Sequence, residues 1–248
     1  MPKTVSIGEP LVGIYGISGK GLETETVFQR VLGGDTSNFV QALSKLGHSV
    51  GYITKIGGDP FGAAYLDLWK RAGVDVSMVT THPLHPTGLY MTAASDTTHD
   101  FIYYRRNSAA SDLSSNDIQE KYIKNAKVLH ISGISQAISG SCLEAVHTSL
   151  VFAKKHGLKI SYDFNYRPAL WNVEKARQVA LDTIRQYVTI LSITKEETAI
   201  LGYDNYTKAA GDFLSWGVGF VAIKLGAEGC HLFTKEDTFL APAYPTKV

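Results

Sequence analysis

A carboxylate, an amide and a guanidinium follow a predicted strand in the second half of the chain. Asp163, Asn165 and Arg167 come directly after residues 158–162, which are predicted to form that strand. Ligands of open α/β sheets bind beyond the carboxyl ends of the strands. Groups of these types can bind hydroxyls there and stabilise developing negative charge. The alternative interpretation is that Asp163 caps a turn and Arg167 is a solvated charge.

Two adjacent arginines end a predicted β-hairpin. Residues 87–94 and 99–105 have β-like composition and are separated by a polar turn at residues 95–98. Arg105 and Arg106 close the second strand. A guanidinium pairs bidentately with a carboxylate or a phosphate, so this position could bind an anion. A basic edge strand that discourages aggregation is the competing interpretation.

Two glycine turns lie where strands are predicted to meet helices. Gly33 and Gly34 precede Asp35 and Asn38 at the start of a predicted helix, and residues 57–62 open a second helix. Glycines let the backbone turn tightly and pass close to a ligand. Either turn alone is equally typical of an ordinary α/β connection.

Two further turns follow predicted strands nearer the C-terminus. Glu197 lies at a helix start, where its carboxylate could hold a hydrated Mg²⁺ near phosphates or could simply favour the helix N-terminus. Lys224, Gly226 and Gly229 form a glycine-bracketed turn that could let an adenine or a phosphate approach the backbone. The second signal is weak on its own.

The elements that must position these groups alternate between strand and helix from residue 127 onward. This alternation predicts an α/β fold with a mostly parallel central sheet and helices on both faces. Residues 11–32 and 87–106 break the rhythm, and residues 24–31 alternate polar and apolar side chains with a period of two. We therefore expect one domain over residues 1–248, with a small β lid inserted in it.

Composition excludes several classes of function. The chain of 248 residues is 44% hydrophobic and has a formal net charge of +1, so neither nucleic acid nor an anionic membrane is an expected partner. Its only cysteines, Cys142 and Cys230, fit a reducing cytoplasm. No apolar run approaches the roughly 18 residues of a membrane span, and the sequence carries no P-loop or zinc-binding motif.

Taken in order, the motifs resemble those of the ribokinase-like, PfkB-type carbohydrate kinases from residue 6 to the end. The matching motifs are Gly33-Gly34 with Asn38, the block 57–62, Asp163-x-Asn165-x-Arg167-Pro168, and Lys224-x-Gly226-x-x-Gly229. Tyr103-Tyr104-Arg105 with Ser108-Ala109-Ala110 is most similar to 2-keto-3-deoxygluconate kinases. The resemblance implies a ribokinase-like fold and transfer of the γ-phosphoryl group of ATP, with Mg²⁺, to a sugar-acid hydroxyl. It also implies a homo-oligomer.

The resemblance further implies a role for each matching residue. The substrate-binding residues would be Gly34, Asp35, Asn38, Tyr90, Tyr104, Arg105 and Arg167. Of the two arginines, either would meet the substrate carboxylate or the transferring phosphate. The nucleotide side would hold Asn165, Lys224, Gly226 and Gly229, and Glu197 would hold the metal.

Three departures from the family pattern affect these expectations. Thr194 stands where the family's Asn-x-x-Glu motif has asparagine, and Gly13 stands where related sugar kinases often carry an acidic residue. The family's Gly-Ala-Gly-Asp signature, which supplies an anion hole and the catalytic base, would begin just past Val248. We therefore expect the chain as given to lack turnover.

Other functions remain open from the sequence. One is a fructokinase or ribokinase-like kinase of a neutral sugar. Another is a catalytically inactive protein that binds a sugar or a nucleotide. A hydrolase with paired carboxylates has no acid pair in a convincing context to support it.

Overall fold

The computed structural model describes residues 1–95 and 99–244. Most of the polar turn expected at residues 95–98 lies outside the described residues. In chain order the strands are β1 Thr4–Ile7, β2 Leu11–Gly16, β3 Phe28–Gly33, β4 Val50–Gly57, β5 Asp75–His82, β6 Leu89–Ala94, β7 His99–Tyr104, β8 Val128–Ser132, β9 Lys159–Asp163, β10 Ile190–Thr194, β11 Phe220–Lys224, β12 Cys230–Phe233 and β13 Thr238–Ala241.

The helices occupy most of the intervening segments. They are α1 Asp35–Lys45, α2 Pro60–Arg71, α3 Glu120–Ile123, α4 Gly133–Ala137, α5 Gly140–Lys155, α6 Val173–Tyr187, α7 Lys195–Ile200 and α8 Tyr206–Ser215. Short 3₁₀ turns occur at Ala109–Asp112, Ser115–Asp117 and Gly226–Glu228. Side chains cap several helices as their sequences predict, for example Ser139 on α5 and Asn172 on α6.

The larger sheet has nine strands in the described part of the chain, in the order β13-β12-β11-β10-β9-β8-β1-β4-β5. The strands from β11 to β5 are parallel, and β12 and β13 add an antiparallel edge. β1 lies between β4 and β8, so the chain winds outward from it in both directions. The carboxyl end of β1 is therefore the switch point where an α/β sheet binds its ligand.

The smaller sheet has the order β3-β2-β6-β7, and it is the predicted β lid. β2 pairs antiparallel with β3 and parallel with β6, and β6 forms the expected hairpin with β7. The strand expected over residues 24–31 begins only at Phe28. The segment before it is held as a loop because the Glu25 carboxylate accepts hydrogen bonds from the N–H groups of Ser18, Thr26 and Val27.

The predicted α/β fold with its added β lid is confirmed, and two strands of the large sheet, β5 and β13, extend it beyond what the sequence pattern indicates. These strands carry several exposed residues, so they lack the continuous apolar run by which a buried strand is recognised. β13, for example, has no fully buried side chain. No helix among the described residues is long and apolar enough to cross a membrane.

Candidate active site

A cavity of about 350 Å³ lies between the carboxyl edge of the large sheet and the lid. It gathers residues that are distant in sequence, from Glu9 to Arg167. Seven of the residues predicted for substrate or nucleotide line it: Gly34, Asp35, Asn38, Tyr90, Arg105, Asn165 and Arg167. Their convergence at the switch point of the sheet makes this cavity the candidate active site.

Gly34 and Asp35 form the floor of the cavity at the start of α1. Gly34 has φ 97°, and a Cβ on it would lie 2.6 Å from the carbonyl oxygen of Glu9. This position therefore requires glycine, because a side chain would be strained and would strike the backbone of the neighbouring segment. The turn places the Asp35 carboxylate inside the cavity.

The Asp35 carboxylate accepts hydrogen bonds from Thr36, Ser132 and Asn165. Its Oδ1 accepts a hydrogen bond from the N–H of Thr36 at 2.7 Å, and its Oδ2 accepts one from the Ser132 hydroxyl. Burial raises the pKa of Asp35, and the hydrogen bond from Ser132 opposes this shift. An oriented carboxylate of this kind can accept hydrogen bonds from sugar hydroxyls.

Asn165 lines the cavity beside Asp35, and its expected role on the nucleotide side stays a prediction. Its Nδ2 donates to Asp35 Oδ2 at 3.3 Å, and it lines the same cavity. The reason is the strand order: Asn165 follows β9, which is two strands from β1, whereas Lys224 and its glycine turn follow β11, two strands farther out. A φ of 44° at Asn165 turns its side chain back toward α1.

Arg105 is paired inside the protein, which the sequence does not indicate. Its Nη2 donates to the carboxylate of Glu9, whose exposed fraction is 1%, and the Ser108 hydroxyl donates to the other Glu9 oxygen at 3.3 Å. Burial raises the pKa of Glu9, and Arg105 opposes this shift. Arg105 Nε is buried and has no hydrogen-bond partner among the described residues.

Glu9 is the functional residue that sequence reasoning missed. It lies two residues after β1, the strand between β4 and β8 in the large sheet. Asp163 and Glu9 both lie at the carboxyl ends of parallel strands, where α/β sheets bind ligands. The signal was present, but the order of the strands was needed to show that β1 is central.

Tyr103, and not Tyr104, lines the cavity together with Tyr90 and Phe101. The Tyr90 ring stacks on that of Phe101 with centroids 4.8 Å apart, and Tyr103 lies beside both rings. Tyr104 is 57% exposed on the opposite face of β7. The expectation for Tyr104 was wrong because neighbouring strand residues point to opposite faces, and the strand continues through Tyr104.

Arg167 is the more accessible guanidinium of the cavity. Its side chain is exposed, and its Nη1 donates to the carbonyl oxygen of Tyr166 at 2.9 Å. Within residues 1–95 and 99–244 it forms no ion pair. Arg167 can therefore meet an incoming anion without first leaving a carboxylate.

The predicted nucleotide turn lies outside this cavity, at the end of β11. Lys224 Nζ forms an ion pair with Asp163 Oδ1 at 2.8 Å, and both side chains are partly exposed. Gly226 and Gly229 have φ values of 60° and 105°. A Cβ on Gly229 would lie 2.1 Å from the Ala241 carbonyl oxygen, so this glycine allows β13 to pass close to the turn.

Glu197 is a helix-capping residue in this structure. Glu197 Oε2 accepts a hydrogen bond from the N–H of Thr194 at 2.8 Å, and the Thr194 hydroxyl accepts one from the N–H of Glu197. Glu197 Oε1 accepts a hydrogen bond from the N–H of Tyr166 at 2.6 Å. This capping box leaves the side chain buried with both oxygens engaged. These contacts do not fit direct Mg²⁺ coordination by Glu197, and they give Thr194 a structural role.

His82, His85 and Asp112 bring three possible metal ligands together elsewhere in the described chain. However, His82 Nδ1 accepts hydrogen bonds from the N–H groups of Leu84 and His85 at 3.1 and 2.8 Å. The proton of the neutral ring therefore lies on Nε2, 3.0 Å from Asp112 Oδ2. A metal at Nε2 would need the other tautomer, so this cluster fastens a loop and is not a preformed metal site.

The second glycine turn, residues 57–62, braces the lid. Asp59 caps α2 by accepting from the N–H of Gly62 at 2.8 Å, and it also accepts from the N–H and hydroxyl of Thr87 at 2.7 and 3.0 Å. Thr87 lies two residues before the start of β6. Asp59 thus ties the large sheet to the lid strand that carries Tyr90.

The whole sequence, residues 1–248, matches the description "pfkB family carbohydrate kinase". The chain belongs to the pfkB family of carbohydrate kinases. It is 31% identical to a 2-dehydro-3-deoxygluconokinase from Thermoproteus tenax over 253 aligned residues, which cover 100% of this chain and 77% of that relative. 2-Dehydro-3-deoxygluconate is another name for 2-keto-3-deoxygluconate.

Solved structures share the ribokinase-like fold of this pfkB family kinase. A PfkB protein from Polaromonas sp. JS666 superposes with a TM-score of 0.92 at 26% identity, covering 99% of this chain and 84% of that one. A putative ribokinase II from E. coli in complex with ATP and Mg²⁺ gives a TM-score of 0.90 at 26% identity, covering 100% and 80%. The family and the fold are thereby established.

Proposed function

We propose that this chain binds the sugar acid 2-keto-3-deoxygluconate, as part of a kinase that transfers the γ-phosphoryl group of ATP to one of its hydroxyls. The observation that carries the proposal is the composition of the cavity. Groups that can bind hydroxyls, on Asp35, Asn38 and Asn165, line the same cavity of about 350 Å³ as two guanidinium groups, Arg105 and Arg167. A small polyhydroxylated acid has the matching chemistry.

The sugar part of the proposal is supported by the floor of the cavity. The Asp35 carboxylate and the Asn38 and Asn165 amides offer both acceptors and donors within one wall. The stacked rings of Tyr90 and Phe101 add an apolar surface to the same cavity. Sugars combine hydroxyl edges with apolar C–H faces, so both surfaces have a use.

The acid part of the proposal is supported by unequal engagement of the two arginines. Arg105 is held by Glu9 but keeps an unpartnered Nε, whereas Arg167 is free of carboxylate partners in the described chain. We therefore assign the substrate carboxylate or the transferring phosphate chiefly to Arg167, with Arg105 in support. The relative from Thermoproteus tenax is named for the same sugar acid, as a 2-dehydro-3-deoxygluconokinase.

The nucleotide part of the proposal rests on the turn after β11. Lys224, Gly226 and Gly229 present a cation and exposed backbone beside the cavity, and the E. coli neighbour is a complex with ATP and Mg²⁺. ATP would bring negative phosphates close to Lys224. Because the Glu197 oxygens are engaged, no step is assigned to a metal held by this residue.

Proton removal from the substrate hydroxyl has no free base among the described cavity residues. Glu9 is paired with Arg105, and we assign Asp35, which hydrogen bonds from Thr36 and Ser132 orient, to binding the sugar hydroxyls. We therefore expect the chain to bind the sugar acid without appreciable phosphoryl transfer. Release of ADP in the presence of ATP, Mg²⁺ and the acid would contradict this expectation and would also exclude an inactive binding protein.

A kinase of a neutral sugar is the second candidate. The observation that favours it is the Glu9–Arg105 pair, which neutralises one of the two guanidinium charges inside the protein. Under this hypothesis Arg105 orders the wall of the cavity, and Arg167 serves only the transferring phosphate.

Titration calorimetry separates the two candidates. The ligands are 2-keto-3-deoxygluconate, its uncharged methyl ester and D-fructose. We expect the acid to bind at least tenfold more tightly than the ester, because one charge-assisted contact is worth about 1.5–3 kcal/mol. Equal affinities, or tighter binding of fructose, would favour the neutral-sugar kinase.

Variants of the arginines give the matched control for this titration. Arg167→Gln should remove most of the preference for the acid over the ester. Arg106→Gln removes the same charge from an exposed neighbour of the site and should leave the preference unchanged. An unchanged preference in Arg167→Gln would contradict the assignment.

We also propose that the chain forms a homo-oligomer through the outer face of the lid. Large apolar side chains are exposed on the face of the lid opposite the cavity, namely Phe28, Ile102 and Tyr104. Apolar side chains exposed together on one sheet face are typical of an interaction site. Sedimentation equilibrium should show a dimer, and Ile102→Glu should give a monomer that still binds the sugar acid.

A further inference from the structure

Gly13 lies directly opposite Tyr90 where β2 pairs with β6. A Cβ built on Gly13 would be 2.7 Å from the Tyr90 hydroxyl oxygen, 2.9 Å from Tyr90 Cζ and 2.6 Å from Tyr15 Cε2. Real Cβ atoms do not make such contacts with ring atoms. The space over Gly13 is therefore filled by the tip of the Tyr90 ring and by Tyr15.

The Tyr90 ring is fixed in that space from two sides. Its hydroxyl is hydrogen-bonded to that of Tyr15, with oxygens 2.5 Å apart, and the two rings meet edge to face. The other side of the Tyr90 ring stacks on Phe101 at 4.8 Å. Burial raises the pKa of Tyr90, so its hydroxyl stays neutral.

We propose that Gly13 is a specificity-determining residue, because the missing side chain lets Tyr90 cross β2 and form an uncharged wall of the cavity. The inference rests on the proposed function, in which the cavity takes a sugar acid. It extends that function to a residue that does not itself line the cavity. Gly13 acts through Tyr90 and is thus a positioning residue.

The charge balance of the cavity explains why an uncharged wall matters. Two carboxylates, Glu9 and Asp35, already stand against the guanidinium groups of Arg105 and Arg167. A further carboxylate at position 13 would displace Tyr90 and add negative charge beside the substrate. An anionic sugar would then be repelled, whereas a neutral sugar would gain an acceptor for its hydroxyls.

The test is calorimetric titration of the full chain with 2-keto-3-deoxygluconate and with its methyl ester. Gly13→Ala adds only a methyl group. Because this group would displace the Tyr90 ring, we expect the affinity for both ligands to fall by about tenfold. Gly13→Asn and Gly13→Asp add nearly equal volume. Only Gly13→Asp should lower the affinity for the acid by about a further tenfold relative to the affinity for the ester.

Action through Tyr90 is tested by a double-mutant cycle. In a Tyr15→Ala/Tyr90→Ala background both rings over Gly13 are removed, so Gly13→Ala should cause no further loss of affinity. Gly211→Asp on α8 is the matched control, because nothing lies within 4 Å of the position of its Cβ. Its affinities should equal those of the unmodified chain, and far-ultraviolet circular dichroism checks that each variant is folded.

The outcomes separate the inference from the proposed function. Three outcomes would overturn the role of Gly13. They are an unchanged affinity in Gly13→Ala, an equal loss of affinity for the acid in Gly13→Asn and Gly13→Asp, and additive losses of affinity in the double-mutant cycle. Absence of any preference for the acid in the unmodified chain would instead overturn the proposed substrate. In that case the Gly13→Ala titration with the ester still tests whether Gly13 positions Tyr90.

Discussion

Two charged pairs flank the carboxyl edge of the large sheet, and they differ in burial. Glu9 and Arg105 have side-chain exposures of 1% and 9%, whereas Asp163 and Lys224 have 29% and 40%. The first pair joins the central strand to the lid, and the second joins two strands of one sheet. The proposed sugar end of the site is thus built from distant segments, and the proposed nucleotide end is left open.

This difference determines what each pair can do. A buried ion pair is costly to break, because the remaining charge has no water to solvate it. A half-exposed pair exchanges its partner for water or for a ligand at little cost. Lys224 can therefore turn from Asp163 to a phosphate, while Arg105 keeps its position whether or not a ligand is bound.

The largest expected effect is that of Glu9→Gln. It leaves the Arg105 guanidinium buried without a counter-charge, so we expect the free energy of unfolding to fall by about 3–5 kcal/mol. Urea denaturation followed by circular dichroism measures this change. The double variant Glu9→Gln/Arg105→Gln should recover part of the loss, and a single variant as stable as the parent would contradict the difference between the pairs.

Gly229→Ala should have the next largest effect, at the nucleotide end. The left-handed φ of 105° and the 2.1 Å approach of a Cβ to Ala241 oxygen both oppose a side chain. We expect a loss of roughly 1–3 kcal/mol, measured by urea denaturation. Gly211→Ala, at a helical position with open space, is the control and should be neutral or slightly stabilising.

Asp59→Asn tests the brace beneath the lid. Burial raises the Asp59 pKa, but hydrogen bonds from Thr87 and Gly62 outweigh it and hold the pKa below its usual value of 3.8. A depressed pKa contributes stability above the unfolded value and loses it as the pH falls through the folded value. We expect a loss of about 1 kcal/mol at pH 7.

The pH dependence of that variant provides its own control. The difference between parent and Asp59→Asn should be constant from pH 7 to pH 5, and it should shrink as the pH falls below 3.8. Thermal unfolding across this range measures it. A difference that grows at low pH would show that the hydrogen bonds do not favour the charged carboxylate.

Lys224→Met should have the smallest effect on stability. Its ion pair is partly exposed, so we expect a change below about 1 kcal/mol. Affinity for ATP, measured by calorimetry, should nevertheless fall severalfold if the turn after β11 binds phosphates. A loss of stability as large as that of Glu9→Gln would remove the distinction between the two ends of the site.

Local sequence predicted the elements well where one residue pattern determines them. The helix over residues 60–71 has its capping aspartate and proline, and the glycine turns lie where strand meets helix. The motif around Asp163, Asn165 and Arg167 does follow a strand at the ligand-binding edge. These features depend on neighbours within a few residues, so the sequence determines them.

Pairings between distant segments could not be predicted in this way. The sequence placed Tyr104 in the cavity in place of Tyr103, because the facing of β7 was unknown. It did not show that Asn165 and Asp35 are hydrogen-bonded across 130 residues of sequence. It left Glu9 without a role, since its partner Arg105 lies 96 residues away. For Glu197, the sequence left open whether the carboxylate binds a metal or stabilises the start of a helix.

The sequence by itself determined the α/β fold, the lid segments and the residue types that converge on the cavity. Periodicity, glycine turns and motif order are local properties, and they survive without knowledge of the three-dimensional arrangement. The tertiary structure decided which charges are already neutralised, which tyrosines line the cavity and which rings fill the space over Gly13. Those answers depend on contacts between β1, β2, β6 and β7, and only packing brings these strands together.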